Sequence, residues 1–450
     1  MSSKTLICNA RIVNEGQVKD GAILIENDTI SEIYSTPNPD ISLHTSDRIL
    51  DAGFNYVLPG VIDDQVHFRQ PGLTHKAQIY TESMAAVTGG VTSFMEMPNT
   101  LPQAITTQLL DEKFQLAAQE SFANFSFYMG ATNQNTEELL KIDPARVCGI
   151  KVFMGASTGN MLVDSDDALE AIFSNAKTLV AVHCEDETTI RENLQIYQGK
   201  FGENIPPEYH PRIRNHHACL LSSEKAVALA QKHNTRLHVL HLSTAGETRL
   251  FDNTLPLEKK RITGEVCVHH LWFTDDDYAA KGNFIKWNPA IKSKKDREKL
   301  WESIINGTLD VVATDHAPHL KEEKSQPYLK APSGGPLVQH SLQAMFDAVT
   351  DRSLPVHLIA QWMSHNPAVC FKVYKRGFIR KGYFADLVIL DPDKPYTVNH
   401  ENILYKCKWS PFEGHTFRAT PTHTIINGQV VFQNGKVDQD FRGQPLEFVR

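Results

Sequence analysis

The feature that most constrains the fold is an alternation of short apolar segments with amphipathic ones across about residues 58–377. Short apolar runs between turn signals are typical of buried strands, and the longer stretches between them are typical of helices. Eight such alternations over roughly 320 residues favour a (β/α)8 barrel with insertions. The predicted strands are Val57–Ile62, Val91–Met97, Phe125–Met129, Val147–Phe153, Leu179–His183, Leu237–His241, Ile262–Val268 and Leu309–Thr314. The clearest predicted helices are Leu109–Gln119, Asp166–Ala176, Ser222–Lys232 and Lys295–Asn306.

A doubly wound open sheet is the structural alternative to the barrel. Dinucleotide-binding folds of that type carry a G-x-G-x-x-G turn directly after the first strand. No such turn follows the first predicted strand here, so the sequence favours the barrel.

The two ends of the chain share a different pattern. Residues 5–34 and residues 383–436 both contain short segments in which apolar and polar residues alternate, as in half-buried strands. The dipeptides Asn427-Gly428 and Asn434-Gly435 favour hairpin turns, because both central residues of a type I′ turn need positive φ. Neither end has enough strands to be stable alone. We therefore predict one small β-sandwich domain built from residues 1–57 and 378–450, with a barrel of residues 58–377 inserted between them.

Composition narrows the class of protein. The formal net charge of the 450 residues is −8 and no basic stripe is visible, which argues against nucleic-acid binding. Seven scattered cysteines without a C-x-x-C pair are typical of reduced thiols in a cytoplasm. The N-terminus lacks the apolar core of a signal peptide, and no stretch approaches the roughly 20 apolar residues that span a bilayer. We expect a cytoplasmic enzyme with a small-molecule substrate, no nucleic acid and no membrane.

Polar side chains end five of the predicted strands, on the face where barrels carry their active sites. A lone histidine or lysine after a strand is more often structural than functional. Potential metal ligands at the same end of five strands are not expected by chance. Their shared position therefore reverses that expectation and favours a metal centre. The metal-capable residues at these ends are Gln65 and His67, Lys151, His183, His241 and Asp315.

The chemistry of these residues suits a divalent ion. Strand alternation makes Gln65 and His67 point the same way, and imidazole and carboxylate are the usual ligands of zinc. Lys151 is a poor ligand as an ammonium ion. Once desolvated, however, it could lose its proton and react with carbon dioxide, and the resulting carbamate can bridge two metals.

Several motifs together carry a family resemblance over nearly the whole chain. The segment Val61-Ile-Asp-Asp-Gln-Val-His-Phe-Arg-Gln-Pro-Gly resembles the D-x-H-x-H-F-R-x-P-G signature of the dihydroorotases, in the amidohydrolase superfamily. Allantoinases and dihydropyrimidinases share the fold, but the Phe68-Arg69-Gln-Pro-Gly piece looks more like dihydroorotases. The other matching motifs are Met97-Pro-Asn-Thr, Gly149-Ile-Lys-Val-Phe-Met-Gly, Thr314-Asp-His-Ala-Pro-His and Lys408-Trp-Ser-Pro-Phe-Glu-Gly.

The resemblance implies a reaction and a metal centre. Dihydroorotases interconvert dihydroorotate and N-carbamoyl-L-aspartate in pyrimidine biosynthesis, with a metal-bound hydroxide as the nucleophile. The resemblance implies one or two zinc ions. His67 and Asp315 would bind the more buried ion, and His183 and His241 the more exposed one. Carboxylated Lys151 would bridge the two, and Asp315 would act as general base and acid.

The resemblance also assigns the substrate contacts. Arg69, Asn99 and His319 match positions that hold the substrate carboxylate, and Asn288 matches a further contact. A guanidinium pairs with a carboxylate through two hydrogen bonds, which favours a substrate that carries a free carboxylate. The family further implies a homo-oligomer, in the first place a dimer. The roles of Glu265, His269 and His270 stay open.

One departure from the signature leaves three interpretations open. Gln65 replaces the first histidine of the family's H-x-H pair. It could bind metal through its amide oxygen, or the first metal position could be weak or empty, or the chain could be a non-catalytic scaffold subunit. Another cyclic amidase, an allantoinase or a hydantoinase, is the alternative activity.

Overall fold

The computed structural model describes residues 4–41, 47–155 and 161–450. The first five strands belong to a sheet at one end of the molecule, and the next eight form a separate parallel sheet. In chain order the first strands are β1 (Lys4–Asn14), β2 (Gln17–Glu26), β3 (Thr29–Tyr34), β4 (Arg48–Asp51) and β5 (Tyr56–Pro59). The parallel strands are β6 (Val61–Val66), β7 (Val91–Glu96), β8 (Asn124–Gly130), β9 (Gly149–Phe153), β10 (Val180–His183), β11 (Leu237–Val239), β12 (Ile262–Cys267) and β13 (Val311–Ala313). The last strands are β14 (Leu387–Asp391), β15 (Tyr396–Thr397), β16 (Thr416–Phe417), β17 (Thr420–Ile426), β18 (Gln429–Gln433) and β19 (Lys436–Val437).

The parallel sheet is a nearly closed barrel. Its strands pair in chain order from β6 to β13. Val66 then bridges in parallel to His316, just beyond β13, and His67 N donates to His316 O at 2.7 Å. The predicted (β/α)8 fold is therefore confirmed.

Helices cover the outside of the barrel, and four of them match the predicted ones to within a few residues at each end. Their first turns are capped by side chains that accept a backbone N–H, including Thr106, Ser165, Asn215 and Ser293. The helices are α1 (Ile79–Thr88), α2 (Thr107–Glu120), α3 (Thr136–Leu139), α4 (Asp166–Asn175), α5 (Glu187–Phe201), α6 (His210–Ile213), α7 (His216–His233), α8 (Val268–Trp272), α9 (Tyr278–Lys281), α10 (Lys294–Ile305), α11 (Lys321–Lys324), α12 (Ser341–Asp351), α13 (His357–Ala360) and α14 (Asn366–Phe371). Short 3-10 segments cover Pro207–Tyr209, Glu247–Leu250, Leu257–Lys259, Asp275–Asp277 and Gly282–Ile285, and a π-helical turn covers Gln361–His365.

Both chain ends build one nine-stranded, mostly antiparallel sheet, in the order β19-β18-β17-β14-β5-β1-β2-β3 with β4 beside β1. β5 from the N-terminal end pairs with β14 from the C-terminal end. This pairing confirms that the two chain ends form one sheet, with the barrel inserted between them in the sequence. Asn427, Gly428, Asn434 and Gly435 all have positive φ, as predicted for the hairpin turns. The exact domain boundaries, 57/58 and 377/378, stay a prediction.

The first predicted strand, Val57–Ile62, is in fact two strands. β5 belongs to the terminal sheet and β6 to the barrel, with Gly60 between them. A Cβ atom at Gly60 would lie 2.2 Å from the side chain of Thr92, so only glycine fits where the chain passes from one sheet to the other. An unbroken apolar run in the sequence hides this change of sheet.

All seven cysteines lie within the described residues, are buried and form no disulfide, in line with the predicted reduced thiols. No helix in the described part of the chain is long and apolar enough to cross a membrane.

A buried ion pair ties the terminal sheet to the barrel. The Arg376 guanidinium donates to Asp386 Oδ2 and, at 2.8 Å, to Asn427 Oδ1. Asp386 Oδ1 accepts the Asn427 N–H at 2.8 Å, and Asn124 at the start of β8 donates to Oδ2 at 3.3 Å. Arg376 and Asp386 are only 4% and 3% exposed, so neither charge can be solvated by water.

We expect Asp386→Ala to lower the free energy of unfolding by about 3–5 kcal/mol, because it leaves the Arg376 charge buried without its partner. Chemical denaturation measures the change. Asp393→Ala, which removes an exposed carboxylate just after β14, is the matched control and should change stability by less than about 0.5 kcal/mol. Equal effects of the two substitutions would show that the buried pair does not hold the two sheets together.

Candidate metal centre and substrate cleft

A cleft opens at the carboxyl ends of the barrel strands, where the sequence predicts the active site. Nine of the ten predicted site residues line it, although they come from widely separated parts of the chain. The tenth, His319, lies directly behind Arg69, with its Nε2 3.1 Å from Arg69 Nη2. The nine are Gln65, His67, Arg69, Asn99, Lys151, His183, His241, Asn288 and Asp315.

One side of the cleft is built around Asp315. His67 Nε2 lies 3.2 Å from Asp315 Oδ1, and Gln65 Nε2 donates to the same oxygen at 3.2 Å. The other ring nitrogen of His67, Nδ1, lies 2.8 Å from Asn99 Oδ1, which fixes the plane of the imidazole. Burial lowers the pKa of His67, although Asp315 opposes this effect.

The opposite side is built around two histidines. His183 Nδ1 lies 3.0 Å from His241 Nε2. His183 Nε2 lies 3.1 Å from Glu185 Oε2, which also accepts from the Arg214 guanidinium. Burial disfavours the Glu185 carboxylate, but Arg214 and His183 outweigh it and bring the Glu185 pKa to about 2. Ionised Glu185 therefore holds a proton on His183 Nε2 and leaves Nδ1 as a lone pair directed into the cleft.

Lys151 of β9 lies in the same cleft, close enough to Asp315 and to both histidines for their charges to interact. It is 1% exposed, and burial lowers its pKa to about 7. Its Nζ lies 4.6 Å from the centre of the Phe153 ring. A substantial fraction of neutral amine is therefore present at neutral pH, as the reaction with carbon dioxide requires.

The backbone is strained at three of the cleft residues. Arg69, His241 and Asp315 have φ values of 67°, 41° and 45°, in the left-handed region that non-glycine residues rarely adopt. Such strain persists only where surrounding contacts impose it, and it is typical of functional sites. At His241 one such contact is visible, since its N–H donates to Glu265 Oε1 at 3.0 Å.

The donor set fits a divalent metal. Two ligand atoms about 2.0–2.1 Å from a tetrahedral zinc ion are separated by about 3.3 Å, close to the 3.0 Å between His183 Nδ1 and His241 Nε2. Burial lowers the pKa of both rings, which leaves them neutral as ligands must be. His241 Nδ1 is buried and, within the described residues, has no hydrogen-bond partner.

A cationic end of the cleft lies beyond Asp315. Arg69 Nε donates to Pro318 O at 3.2 Å. His319 Nδ1 lies 3.1 Å from Lys76 Nζ, which can only donate, so Nδ1 accepts and Nε2–H donates to Ser333 O at 3.0 Å. Burial and the Arg69 charge hold the pKa of His319 well below its usual value. Arg69 stays charged, since burial lowers its pKa only to about 10.

Comparison with known proteins agrees with this geometry. The model of the amidohydrolase family matches residues 56–431, which cover both the barrel and the strands beside it. The chain belongs to the amidohydrolase family.

The curated relatives narrow the group within the family. A dihydroorotase of Methanosarcina acetivorans is 32% identical over 98% of this chain and 95% of its own. A dihydroorotase of Staphylococcus epidermidis is 31% identical over 96% of this chain and all of its own. The predicted resemblance to dihydroorotases is therefore confirmed, and this amidohydrolase is an enzyme of the cyclic amidase group.

Solved structures place the fold in the same group. The L-hydantoinase (dihydropyrimidinase) of Arthrobacter aurescens superimposes with a TM-score of 0.92 and 27% identity, covering 99% of this chain and all of its own. The dihydropyrimidinase of Brevibacillus agri gives a TM-score of 0.86 at 22% identity over the same shares of the two chains, a likeness in fold alone.

Sequence reasoning missed some of the residues that shape the amidohydrolase cleft. Glu185 fixes His183, and its signal was its place two residues further along the same strand end. Phe153, Trp287 and the Ser333–Gly334 segment also line the cleft. Trp287 Nε1 and Asn288 Oδ1 are buried and lack a hydrogen-bond partner among the described residues, so both can bind a polar ligand atom.

Two further buried groups with metal-capable atoms within 4.8 Å of one another occur among the described residues. One contains Asp64, His238 and Glu265, and its Glu265 also supports His241. Burial alone would lower the pKa of His238, but the two carboxylates raise it to about 9. The other contains Cys267, His269 and His270.

The loop after β13 is held by a buried lysine. Lys324 Nζ donates to the carbonyl oxygens of Lys286, Pro332 and Gly334 at 3.2, 2.9 and 2.8 Å. Since Gly334 lines the cleft, this lysine sets the shape of the cleft wall.

We expect Lys324→Met to release this loop, because the substitution keeps the length of the side chain but removes all three hydrogen bonds. Limited proteolysis should then cleave within residues 320–336 at least tenfold faster than in the parent protein. Lys321→Met, at an exposed position of the same short helix α11, is the control and should leave the rate unchanged. An unchanged rate for Lys324→Met would show that other contacts hold the loop.

Proposed function

We propose that this enzyme is a dihydroorotase, which reversibly hydrolyses (S)-dihydroorotate to N-carbamoyl-L-aspartate in pyrimidine biosynthesis. The observation that carries the proposal is the buried guanidinium of Arg69 in the same cleft as the metal-capable residues. The names of the full-length relatives support the same activity.

The cationic end of the cleft favours a substrate with a free carboxylate. Arg69 is 4% exposed, and a charge buried to this degree is stable only with an anionic partner or a set of hydrogen bonds. Its Nε donates to a carbonyl oxygen and its Nη2 faces neutral His319, so no carboxylate contacts the guanidinium within hydrogen-bond distance in the described chain. The carboxylate of dihydroorotate would supply the missing anion. Hydantoins, dihydrouracil and allantoin carry none.

A hydantoinase is the second candidate, favoured by the close superposition on the Arthrobacter L-hydantoinase. That likeness extends over the whole chain and therefore reports the common fold. The two activities differ in whether the substrate has a carboxylate for Arg69 to bind, so Arg69 distinguishes them.

The family resemblance would place zinc at His67, Lys151, His183, His241 and Asp315, with Lys151 carboxylated, and the geometry of the cleft supports Lys151, His183 and His241 among these ligands. A bound zinc ion lowers the pKa of water and polarises the amide carbonyl. The low pKa of Lys151 supports its carboxylation, because only the neutral amine attacks carbon dioxide.

The chain's own residues orient the substrate and move the proton. Asp315 accepts the proton of the attacking water and passes it to the ring nitrogen as the amide bond breaks, a role worth about 10²–10⁴-fold in rate. Gln65 and His67 both contact Oδ1 of Asp315, which leaves Oδ2 to face the water. Arg69 binds the substrate carboxylate, His319 lies behind its guanidinium, and Asn99 and Asn288 complete the polar wall. In the reverse direction the same groups close the ring.

A homodimer, which the family resemblance supports, and a cytoplasmic location, which the seven free cysteines support, are part of the proposal. Neither point enters the chemistry of the cleft.

We expect Arg69→Lys to reduce kcat/KM for dihydroorotate by about 10- to 100-fold, because one lysine ammonium replaces two charge-assisted hydrogen bonds. A spectrophotometric assay of ring opening measures this. Arg191→Lys, at an exposed position of α5, is the matched control and should have no effect. The parent enzyme should hydrolyse neither hydantoin nor dihydrouracil at a comparable rate. Turnover of these compounds that is insensitive to Arg69→Lys would instead identify a hydantoinase.

A further inference from the structure

The orientation of the Gln65 side chain determines what this residue can bind. Its Nε2 lies 3.2 Å from Asp315 Oδ1, and its Oε1 lies 3.7 Å from Cys267 Sγ. Gln65 is 1% exposed and Cys267 is fully buried, so no water competes for these contacts.

The chemistry of the neighbours fixes which end of the amide faces which way. An ionised carboxylate can only accept hydrogen bonds, so the amide N–H must face Asp315. Rotation of the amide by 180° would place its oxygen against a carboxylate oxygen in a buried, low-dielectric site. On the other side a thiol is a weak donor, and Cys267 Sγ also lies 3.3 Å from Glu265 Oε1. The contact with Asp315 therefore decides the orientation.

This orientation removes Gln65 from the metal ligands. Only the oxygen of a neutral amide can bind a divalent cation, and that oxygen is directed to Cys267. The amide N–H, the positive end of its dipole, is directed to Asp315, where a cation would need a lone pair. His67 Nε2 contacts the same Asp315 oxygen, so both residues of this strand end contact the carboxylate.

The side of the cleft around His183 and His241 offers metal ligands that the side around Asp315 lacks. His183 and His241 direct neutral ring nitrogens toward each other at 3.0 Å, and Lys151 lies in the same cleft. Three protein ligands are the number that catalytic zinc sites commonly use.

We propose that this enzyme holds a single metal ion, at His183, His241 and Lys151, and that Gln65 is a positioning residue that donates a hydrogen bond to the general base Asp315. The inference rests on the proposed cyclic amide hydrolysis and assigns the ligands of the same site. Where the family signature has the first of its two histidines, this chain has an amide that donates a hydrogen bond to the carboxylate.

The first test counts zinc per chain by plasma mass spectrometry on enzyme purified without chelator. The parent protein and His67→Ala should each retain one equivalent, whereas His183→Ala should lose it. Two equivalents in the parent protein, or loss of the ion in His67→Ala with an unchanged unfolding midpoint, would overturn the proposal.

The second test restores the missing ligand. Gln65→His should raise the zinc content from one equivalent to two, because an imidazole lone pair replaces the amide N–H. Gln65→Met keeps the length of the side chain without its donor. It should retain one equivalent and lower kcat by about 10- to 100-fold while KM changes less than twofold, since Asp315 loses a hydrogen bond but the substrate contacts stay. Unchanged kcat in Gln65→Met would show that Gln65 does not position Asp315.

These measurements separate the inference from the proposed function. One zinc ion in the parent protein and in His67→Ala, without turnover of dihydroorotate, would support the single-metal centre and contradict the proposed substrate. Turnover of dihydroorotate with two zinc ions would support the function and contradict the single-metal centre.

Discussion

Closure of the barrel between its first and last strands is the contact on which the site depends. We call this contact the seam. In it Asp63 of β6 accepts hydrogen bonds from Thr314, just after β13, with the hydroxyl at 2.6 Å and the backbone N–H at 3.2 Å. Asp63 is buried, and burial raises its pKa to about 7 against the effect of these donors. The seam brings Gln65 and His67 to Asp315 although about 250 residues separate them in the chain. Without it Asp315 would lose its contacts with both residues.

Electrostatics in this cleft follows from how deeply the groups are buried. Desolvation lowers the pKa of Lys151, His183 and His241, which favours their neutral forms with available lone pairs. Charge is kept only where a partner is built in, as at Glu185 beside Arg214. Arg69 is the exception, a buried cation facing the cleft, and this imbalance supports the proposal of an anionic substrate.

Much of the fold could be predicted from the sequence because the strands are short apolar runs with clear boundaries. All eight predicted barrel strands overlap a barrel strand, and the Asn-Gly turns have the predicted positive φ. One of the eight, Val57–Ile62, merged strands of two different sheets. The error has a local cause, since Gly60 redirects the chain without any polar residue to mark the change.

The sequence by itself determined which groups reach the cleft. The carboxyl ends of all barrel strands lie on one face of the fold, so a side chain at the end of a predicted strand is assigned to that face. The sequence could not determine which atoms of those groups meet. The sequence does not distinguish the two orientations of the Gln65 side-chain amide, which differ by a rotation of 180°. Only its burial between Asp315 and Cys267, at the ends of the neighbouring strands β13 and β12, turns the N–H toward the carboxylate. Tertiary structure decides this because hydrogen-bond direction depends on neighbours that are distant in the chain.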